Sequence, residues 1–269
     1  MDDLSGFNWY CFYCATFYRL WLLVMKLKTN LHLHTADDPK DRIHYTIYEA
    51  IDEAKRLDFD VLALTCHGFF ATRPEHIKYA KQKGILLIPG IELAIEGSSP
   101  LHGRHVVVLN CTKEIETVRT FADLSEYRIN HPEIFIIAPH PYYPHPLESC
   151  SLKEQLVPNI DLFDAIEFSW YYSKIYNRYN RKAEKVAIKH RLPYVATSDT
   201  HFMEYLDTSY AMIETVEKTP EAIFEAIRAR NFYNVSFPRK FFSEMIWGYL
   251  VRKVIFGDLI MGGSKNSKG

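Results

Sequence analysis

Imidazoles and carboxylates recur in this chain at positions where they could meet. His32 and His34 stand one residue apart in T-N-L-H-L-H-T, His67 follows an apolar run in L-T-C-H-G, and Asp199 and His201 close S-D-T-H. On a β-strand, residues i and i+2 share a face, so an extended Thr29–Thr35 segment aims His32 and His34 at one point. Two neutral imidazoles converging on a point suit a divalent cation. Glu92 in P-G-I-E, His105 in G-R-H-V-V-V-L and His140 in A-P-H-P add three donors of the same chemistry. One ion takes about four to six ligands, so this set suits two or three. Imidazole and carboxylate without thiolate favour zinc, manganese or iron over copper(I) or an iron–sulfur cluster. Cys66, next to His67, reads as packing within its strand.

Such a set functions only if the fold gathers it. Apolar runs alternate with helical patterns from Leu27 onward. Candidate strands are Leu27–Leu33, V-L-A-L-T, I-L-L-I-P-G-I-E, H-V-V-V-L-N, I-F-I-I-A-P-H, A-I-E-F-S-W and L-P-Y-V-A-T-S. Between them, Thr46 is a plausible cap for one helix, Pro74 opens a second, and others run from Val118 to Arg128, from Lys174 to His190 and from Pro220 to Arg230. Alternation of this kind predicts parallel βα units with right-handed crossovers. About seven strands favour a closed α/β barrel over a doubly wound sheet. In a barrel, the carboxyl ends of the strands collect the functional groups, which is where most of these histidines and acids fall.

Composition narrows the partners. With 48% hydrophobic and 24% charged residues the chain has an ordinary globular make-up, and a net charge of −1 gives no basic field for long nucleic acid. Five cysteines without framework spacing point to a reducing, cytoplasmic compartment. Residues 1–25 read as an N-terminal extension outside the fold. Their aromatic run from Phe7 to Val24 is marginal for a membrane span and interrupted by Arg19, and the Cys11–Cys14 pair is weak evidence for metal or redox work. The barrel is expected over residues 26–238. Residues 239–269 are expected to carry an amphipathic helix, from Phe241 to Ile260, and a frayed tail. No clear membrane association is expected.

The ordered set H-L-H-T, L-T-C-H-G, P-G-I-E, R-H-V-V-V-L, P-H-P and S-D-T-H resembles the polymerase and histidinol-phosphatase (PHP) family of metal-dependent phosphoesterases, over about Leu27 to Pro238. The resemblance implies a distorted (β/α)7 barrel with a trinuclear centre at the C-terminal ends of its strands. It implies that His32, His34, Glu92 and Asp199 hold one ion. His67, His201 and an acid after the first strand would hold a second. His105 and His140 would hold a third, with Glu92 bridging. The family commonly reads H-T-x-x-S-D-G where this chain reads H-T-A-D-D-P-K-D. Asp38 is the first choice for the missing acid and Asp41 the next, with Asp37 and His44 as alternatives. Cys66 also replaces an Asp common in the family, which would retune the neighbouring ion.

The chemistry implied is hydrolysis of a phosphate mono- or diester by water shared between ions at Glu92, Asp199 and His34. Arg73, Lys174 and Arg178 are candidate phosphate-binding cations. Tyr142, Tyr143, Trp170, Tyr171 and Tyr172 either stack a planar ring or form a hydrophobic lid, while His145 repeats the His140 motif inside a loop and is read as a decoy. The expected substrate is a phosphorylated small molecule or nucleotide, with a short nucleic-acid end as a further option. Two rival readings are an amidohydrolase-like enzyme, which would place a lysine where Glu92 stands, and a non-catalytic metal-binding accessory module.

Overall fold

The computed structural model describes residues 24–143 and 150–240. The Cys11–Cys14 pair, His145 and the helix expected from Phe241 lie outside the described residues. Among the described residues, nine strands form one sheet in the spatial order β7-β6-β5-β4-β3-β2-β1-β8-β9. They are β1 (Met25–Leu33), β2 (Val61–Leu64), β3 (Leu86–Ser99), β4 (His102–Leu109), β5 (Phe135–Ala138), β6 (Ala165–Ser169), β7 (Tyr194–Thr197), β8 (Ser209–Thr215) and β9 (Phe232–Ser236).

Five α-helices among the described residues connect them, and local sequence explains their limits. Thr46 and Glu49 form a reciprocal capping box for α1 (Ile47–Arg56), and Thr120 with Asp123 does the same for α3 (Phe121–Asn130). Prolines open α2 (Pro74–Gln82) and α5 (Pro220–Arg228), where a missing N–H costs nothing. Helix α4 (Arg178–His190) starts four residues later than its pattern suggests and ends at Arg191 in the left-handed region.

The sheet curls into a nearly closed barrel, as expected, but not an all-parallel one. Strands β1 to β3 pair in parallel, and so do β5 to β7, whereas β4 is antiparallel to both β3 and β5. A β3–β4 hairpin therefore replaces one βα crossover. Two strands that the alternation of apolar runs did not reveal, β8 and β9, add to the far side of β1 in antiparallel fashion. The seam between β1 and β7 is stitched twice. Thr200 exchanges backbone hydrogen bonds with His32 and His34, and Asn234 of β9 accepts from Ala196 N–H and donates to the Tyr194 carbonyl.

The lower part of the barrel is apolar. Leu27, Leu31, Val107, Phe135 and Ile213 share one cluster with Phe224 and Ile227 of α5, whose Phe224 ring stacks on Phe135 at 4.7 Å. Asp164 anchors the loop into β6. One carboxylate oxygen accepts from Arg128 and Arg228 and the other from the Ile136 N–H. No helix among the described residues is long and apolar enough to cross a membrane. Truncation of Asp164 strands two guanidinium groups and a buried amide, so Asp164→Ala is expected to lower stability by about 3 kcal/mol. Chemical denaturation measures this, and bound metal per folded chain should not change.

Candidate metal centre

Each strand delivers its residue to the upper end of the barrel by a local device. A register irregularity between Asn30 and Leu33 of β1 spans His32 and lies just before His34, and the two ring centroids are 5.1 Å apart. His67 and Glu92 sit side by side because the β2–β3 ladder continues past β2: Glu92 N–H donates to the Cys66 carbonyl and Gly68 N–H to that of Glu92. Gly68 has a φ of 57°, and a Cβ there would collide with the Pro100 carbonyl. His105 lies in the first half of its strand rather than at its end. Antiparallel pairing of β4 puts it opposite Ala94, two residues past Glu92, and so at the same rim. His140 and Asp199 have positive φ values of 27° and 44°, an uncommon backbone for residues with a Cβ and one concentrated at functional sites.

The result is a buried cluster around the Glu92 carboxylate. Its Oε1 lies 2.8 Å from His105 Nδ1, 3.1 Å from His140 Nε2 and 3.4 Å from His32 Nε2. Its Oε2 lies 2.9 Å from His67 Nε2 and 3.4 Å from His34 Nε2. Asp199 Oδ1 is 3.4 Å from His34 Nε2 and 3.6 Å from His32 Nε2. His201 Nε2 contacts Asp41 Oδ2 at 2.9 Å. His32, His34 and Glu92 are sealed from solvent. The side chains of Asp41, Asp199 and His201 keep 15–19% exposure and mark the open side.

The close atoms point past one another. His32 Nε2, His34 Nε2, His105 Nδ1, Glu92 Oε2 and Asp199 Oδ1 are buried, yet none makes a hydrogen bond. Unsatisfied buried polar atoms are rare and costly, so five converging in one place call for a shared partner. Bonds of about 2.0–2.2 Å to a tetrahedral ion put neighbouring ligand atoms roughly 3.4 Å apart. The distances from Asp199 Oδ1 to His34 Nε2 and His32 Nε2, 3.4 and 3.6 Å, lie close to that value. Three groups have ligand atoms close enough to share an ion: His32, His34 and Asp199; His34, His67 and His201; and His67, Glu92 and His105. The residues present thus fit divalent metal.

Two further carboxylates aim the rings. Asp38 Oδ2 accepts from His34 Nδ1 at 2.8 Å and from both His67 Nδ1 and the His67 N–H at 2.9 Å. Its Oδ1 takes the N–H groups of Lys40 and Asp41. Glu167 on β6, fully buried, accepts from His32 Nδ1 at 2.8 Å. These bonds leave the Nε2 atoms facing the cluster, the arrangement that orients metal-binding histidines. Sequence reasoning missed Glu167. The signal was one acid inside the otherwise apolar strand A-I-E-F-S.

Without metal, these charges perturb one another strongly. Burial raises the Glu92 carboxyl, but His105, His32 and His67 outweigh it and hold it well below its usual range. Burial likewise opposes ionisation of Asp199, and His32 and His201 overcome it. Burial depresses His67 and His201, yet Asp38 and Glu92 lift the first to about 9, and Asp199 and Asp41 the second to about 10. His34 is lowered by burial and by its neighbours His201 and His67. Burial pushes the Cys66 thiol up to about 12, which keeps it a packed, neutral group.

The surrounding candidates are placed less closely. Arg73, exposed, pairs with Asp37 at 2.8 Å, joining the first two loops. Lys174 and Arg178 are exposed, and Arg178 donates to the Tyr179 hydroxyl rather than to the cluster. Tyr142, Tyr143 and Tyr171 line a small recess beside His140, together with Tyr179. Trp170 packs elsewhere, against Tyr205 and the Arg239 guanidinium. Tyr172 packs on Phe168.

Comparison with known proteins agrees with this architecture. Residues 177–232 match the family model described as PHP-associated. The fold is similar to that of a two-domain protein from Bacteroides vulgatus containing a predicted PHP-like metal-dependent phosphoesterase, with a TM-score of 0.59 and 18% identity over 79% of this chain and 65% of that one. It is also similar to Endonuclease Q in complex with a duplex bearing an abasic lesion, at 0.57 and 16% over 80% of this chain and 60% of the other. An amidohydrolase from Chromobacterium violaceum with bound sulfate matches at 0.53 and 14%, over 76% and 97%. This chain therefore spans less than two thirds of the first and second of these proteins. No curated protein matches it by sequence. The fold is similar to that of PHP-like proteins, as the resemblance implied, and the similar structures carry hydrolase names.

Two outcomes follow for the site. Glu167→Ala should weaken metal binding about 10- to 100-fold with the fold intact, measured by competition with a chelating dye. His67 and His201, with pKa values above 7 in the metal-free protein, carry protons at neutral pH that an incoming ion must displace. Metal affinity should therefore rise with pH up to about 9–10, and the heat of binding should depend on the buffer's ionisation enthalpy.

Proposed function

We propose that this protein is a metal-dependent phosphoesterase with two or three divalent ions in the Glu92 cluster. The observation that carries the reading is the set of buried, unpaired nitrogen and oxygen atoms converging around Glu92. His32, His34 and Asp199 would hold one ion with Glu92, and His67, His201 and Asp41 a second. His105 and His140 would hold a third, again with Glu92. Asp41 is preferred to Asp38 because Asp38 already accepts five N–H bonds, whereas Asp41 lies on the open side against His201. The role of Asp38 is then to aim His34 and His67.

Bound divalent ions would supply Lewis acidity, activating water and neutralising phosphoryl oxygens. The residues of the chain supply the rest. Glu167 and Asp38 hold the Nδ1–H groups of His32, His34 and His67, so that their Nε2 atoms are the ones turned toward the ions. Burial of Glu92 excludes bulk water from the inner face, and the exposed edge of Asp41, Asp199 and His201 leaves one side for substrate. A short nucleic acid is the second substrate class, favoured by the likeness to Endonuclease Q, whose complex holds a duplex with an abasic lesion. The amidohydrolase reading is weaker because Glu92, not a lysine, occupies the middle-strand position.

The test is turnover of p-nitrophenyl phosphate and its bis-ester by protein of known metal content. Loaded protein should hydrolyse at least one of them. Asp199→Ala and Asp41→Asn should each lower the rate about a hundredfold or more, with loss of metal. Cyclic-amide hydrolysis without phosphoesterase activity would overturn the proposal.

A further inference from the structure

The chain's net charge of −1 conceals an uneven surface. Residues 174–191 hold seven lysines and arginines against one acid, Glu184. Five of those cations lie on α4, whose 3.6-residue repeat places Arg178, Arg181, Lys182, Lys185 and Lys189 on one exposed face. Ala183 and Ala187 lie on the opposite face, buried in the barrel's outer core. The result is a basic stripe roughly 16 Å long.

Helix stability does not account for this arrangement. Arg178 and Lys182, Arg181 and Lys185, and Lys185 and Lys189 are each four residues apart, where like charges repel. Arg178 and Arg181 also occupy the N-terminal end, where the helix dipole disfavours cations. The other four α-helices described carry an acid in the first turn, and α4 has none. Exposed cations elsewhere are neutralised, Arg56 by Glu53, Lys83 by Asp52 and Arg73 by Asp37. Among the described residues, no carboxylate forms an ion pair with a cation of the stripe. A counter-charge from outside the chain gives the stripe its reason.

The stripe starts at the metal rim. Asn180 donates to the Ser169 carbonyl at 2.8 Å and accepts from the Ser169 N–H at 3.1 Å, which clamps the first turn of α4 to the end of β6. That turn helps to wall the recess beside His140, with Tyr142, Tyr143, Tyr171 and Tyr179. Cations and rings interleave there. The Arg178 guanidinium lies 4.8 Å from the Tyr179 ring centre, and Lys182 Nζ 4.1 Å from that of Tyr142. A charged track for phosphates beside aromatic rings for bases is how single-stranded nucleic acid is held without regard to sequence. A lipid surface fits less well, because the apolar face of α4 is already packed and cannot insert.

We infer that α4 is a binding track for single-stranded nucleic acid and leads a strand end across the tyrosine recess to the metal centre. This rests on the phosphoesterase reading above and names its substrate as an oligonucleotide end. The test is fluorescence anisotropy of a fluorescein-labelled phosphorothioate oligothymidylate, which resists cleavage, with metal-loaded protein over a range of salt concentrations. One variant combines Arg181→Gln, Lys185→Gln and Lys189→Gln. A second, Lys78→Gln with Lys81→Gln on α2, controls for lost charge. The α4 variant should bind about tenfold more weakly or worse, with the slope of log affinity against log salt shallower by about two. The α2 variant should bind as wild type does. Turnover of p-nitrophenyl phosphate should fall much less in the α4 variant, because that ester is too short to reach the stripe.

Equal affinity in wild type and the α4 variant overturns the inference. An equal loss in the α2 variant, or tighter binding to vesicles of phosphatidylserine and phosphatidylcholine, overturns it too. Wild-type protein that hydrolyses p-nitrophenyl phosphate but does not bind the oligothymidylate overturns it and leaves the phosphoesterase intact. Binding that depends on α4, in metal-loaded protein without hydrolytic activity, supports the track and overturns the phosphoesterase reading.

Discussion

The structure is organised around one buried carboxylate. Glu92 has no solvent exposure on its side chain, and five imidazoles stand within 3.4 Å of its two oxygens. A carboxylate in such a place is strongly disfavoured unless positive charge surrounds it. In the metal-free protein that charge comes from His32 and His67, whose affinity for protons the neighbouring carboxylates raise, while several of the close atoms make no hydrogen bond. Divalent cations supply the same charge and use the misdirected lone pairs. The architecture near the rim serves to hold this unfavourable arrangement in register.

Several costs in the fold make sense in that light. Positive φ at His140 and Asp199 amounts to about 1–3 kcal/mol of strain each. The apolar lower barrel, capped by α5, has enough buried surface to offset it. Above that layer, Asn30, Ser198 and Thr200 hydrogen-bond to one another beneath the histidines, so the polar cluster does not sit directly on hydrocarbon. The Thr200 backbone bonds that close the barrel run through His32 and His34 themselves. Closing the seam and placing the first two imidazoles are one event.

How far the sequence alone reaches can be judged from particular residues. The barrel and its rim of histidines were readable because apolar runs and the residues ending them survive as local patterns. Strand direction was not. H-V-V-V-L is apolar whichever way it runs, and only the hairpin through Gly97 and Gly103 shows that β4 turns back. Strand β8 alternates buried and half-buried residues, a weaker signal than a continuous apolar run. Glu167 is a single acid in a short strand, meaningful only once His32 is seen beside it. The choice between Asp38 and Asp41 depends on backbone N–H directions within a five-residue loop, which residue types do not encode.

The central claim is that the atoms around Glu92 converge on metal rather than on each other. The most direct test is a crystal structure of metal-loaded protein with anomalous scattering measured on both sides of the metal's absorption edge. The account predicts anomalous peaks bounded by His32 Nε2, His34 Nε2 and Asp199 Oδ1, and beside Glu92 toward His105, at bonding distance of about 2.0–2.2 Å. A fully occupied, well-ordered cluster with no anomalous peak, its imidazoles turned to hydrogen-bond Glu92 and Asp199 directly, would contradict it.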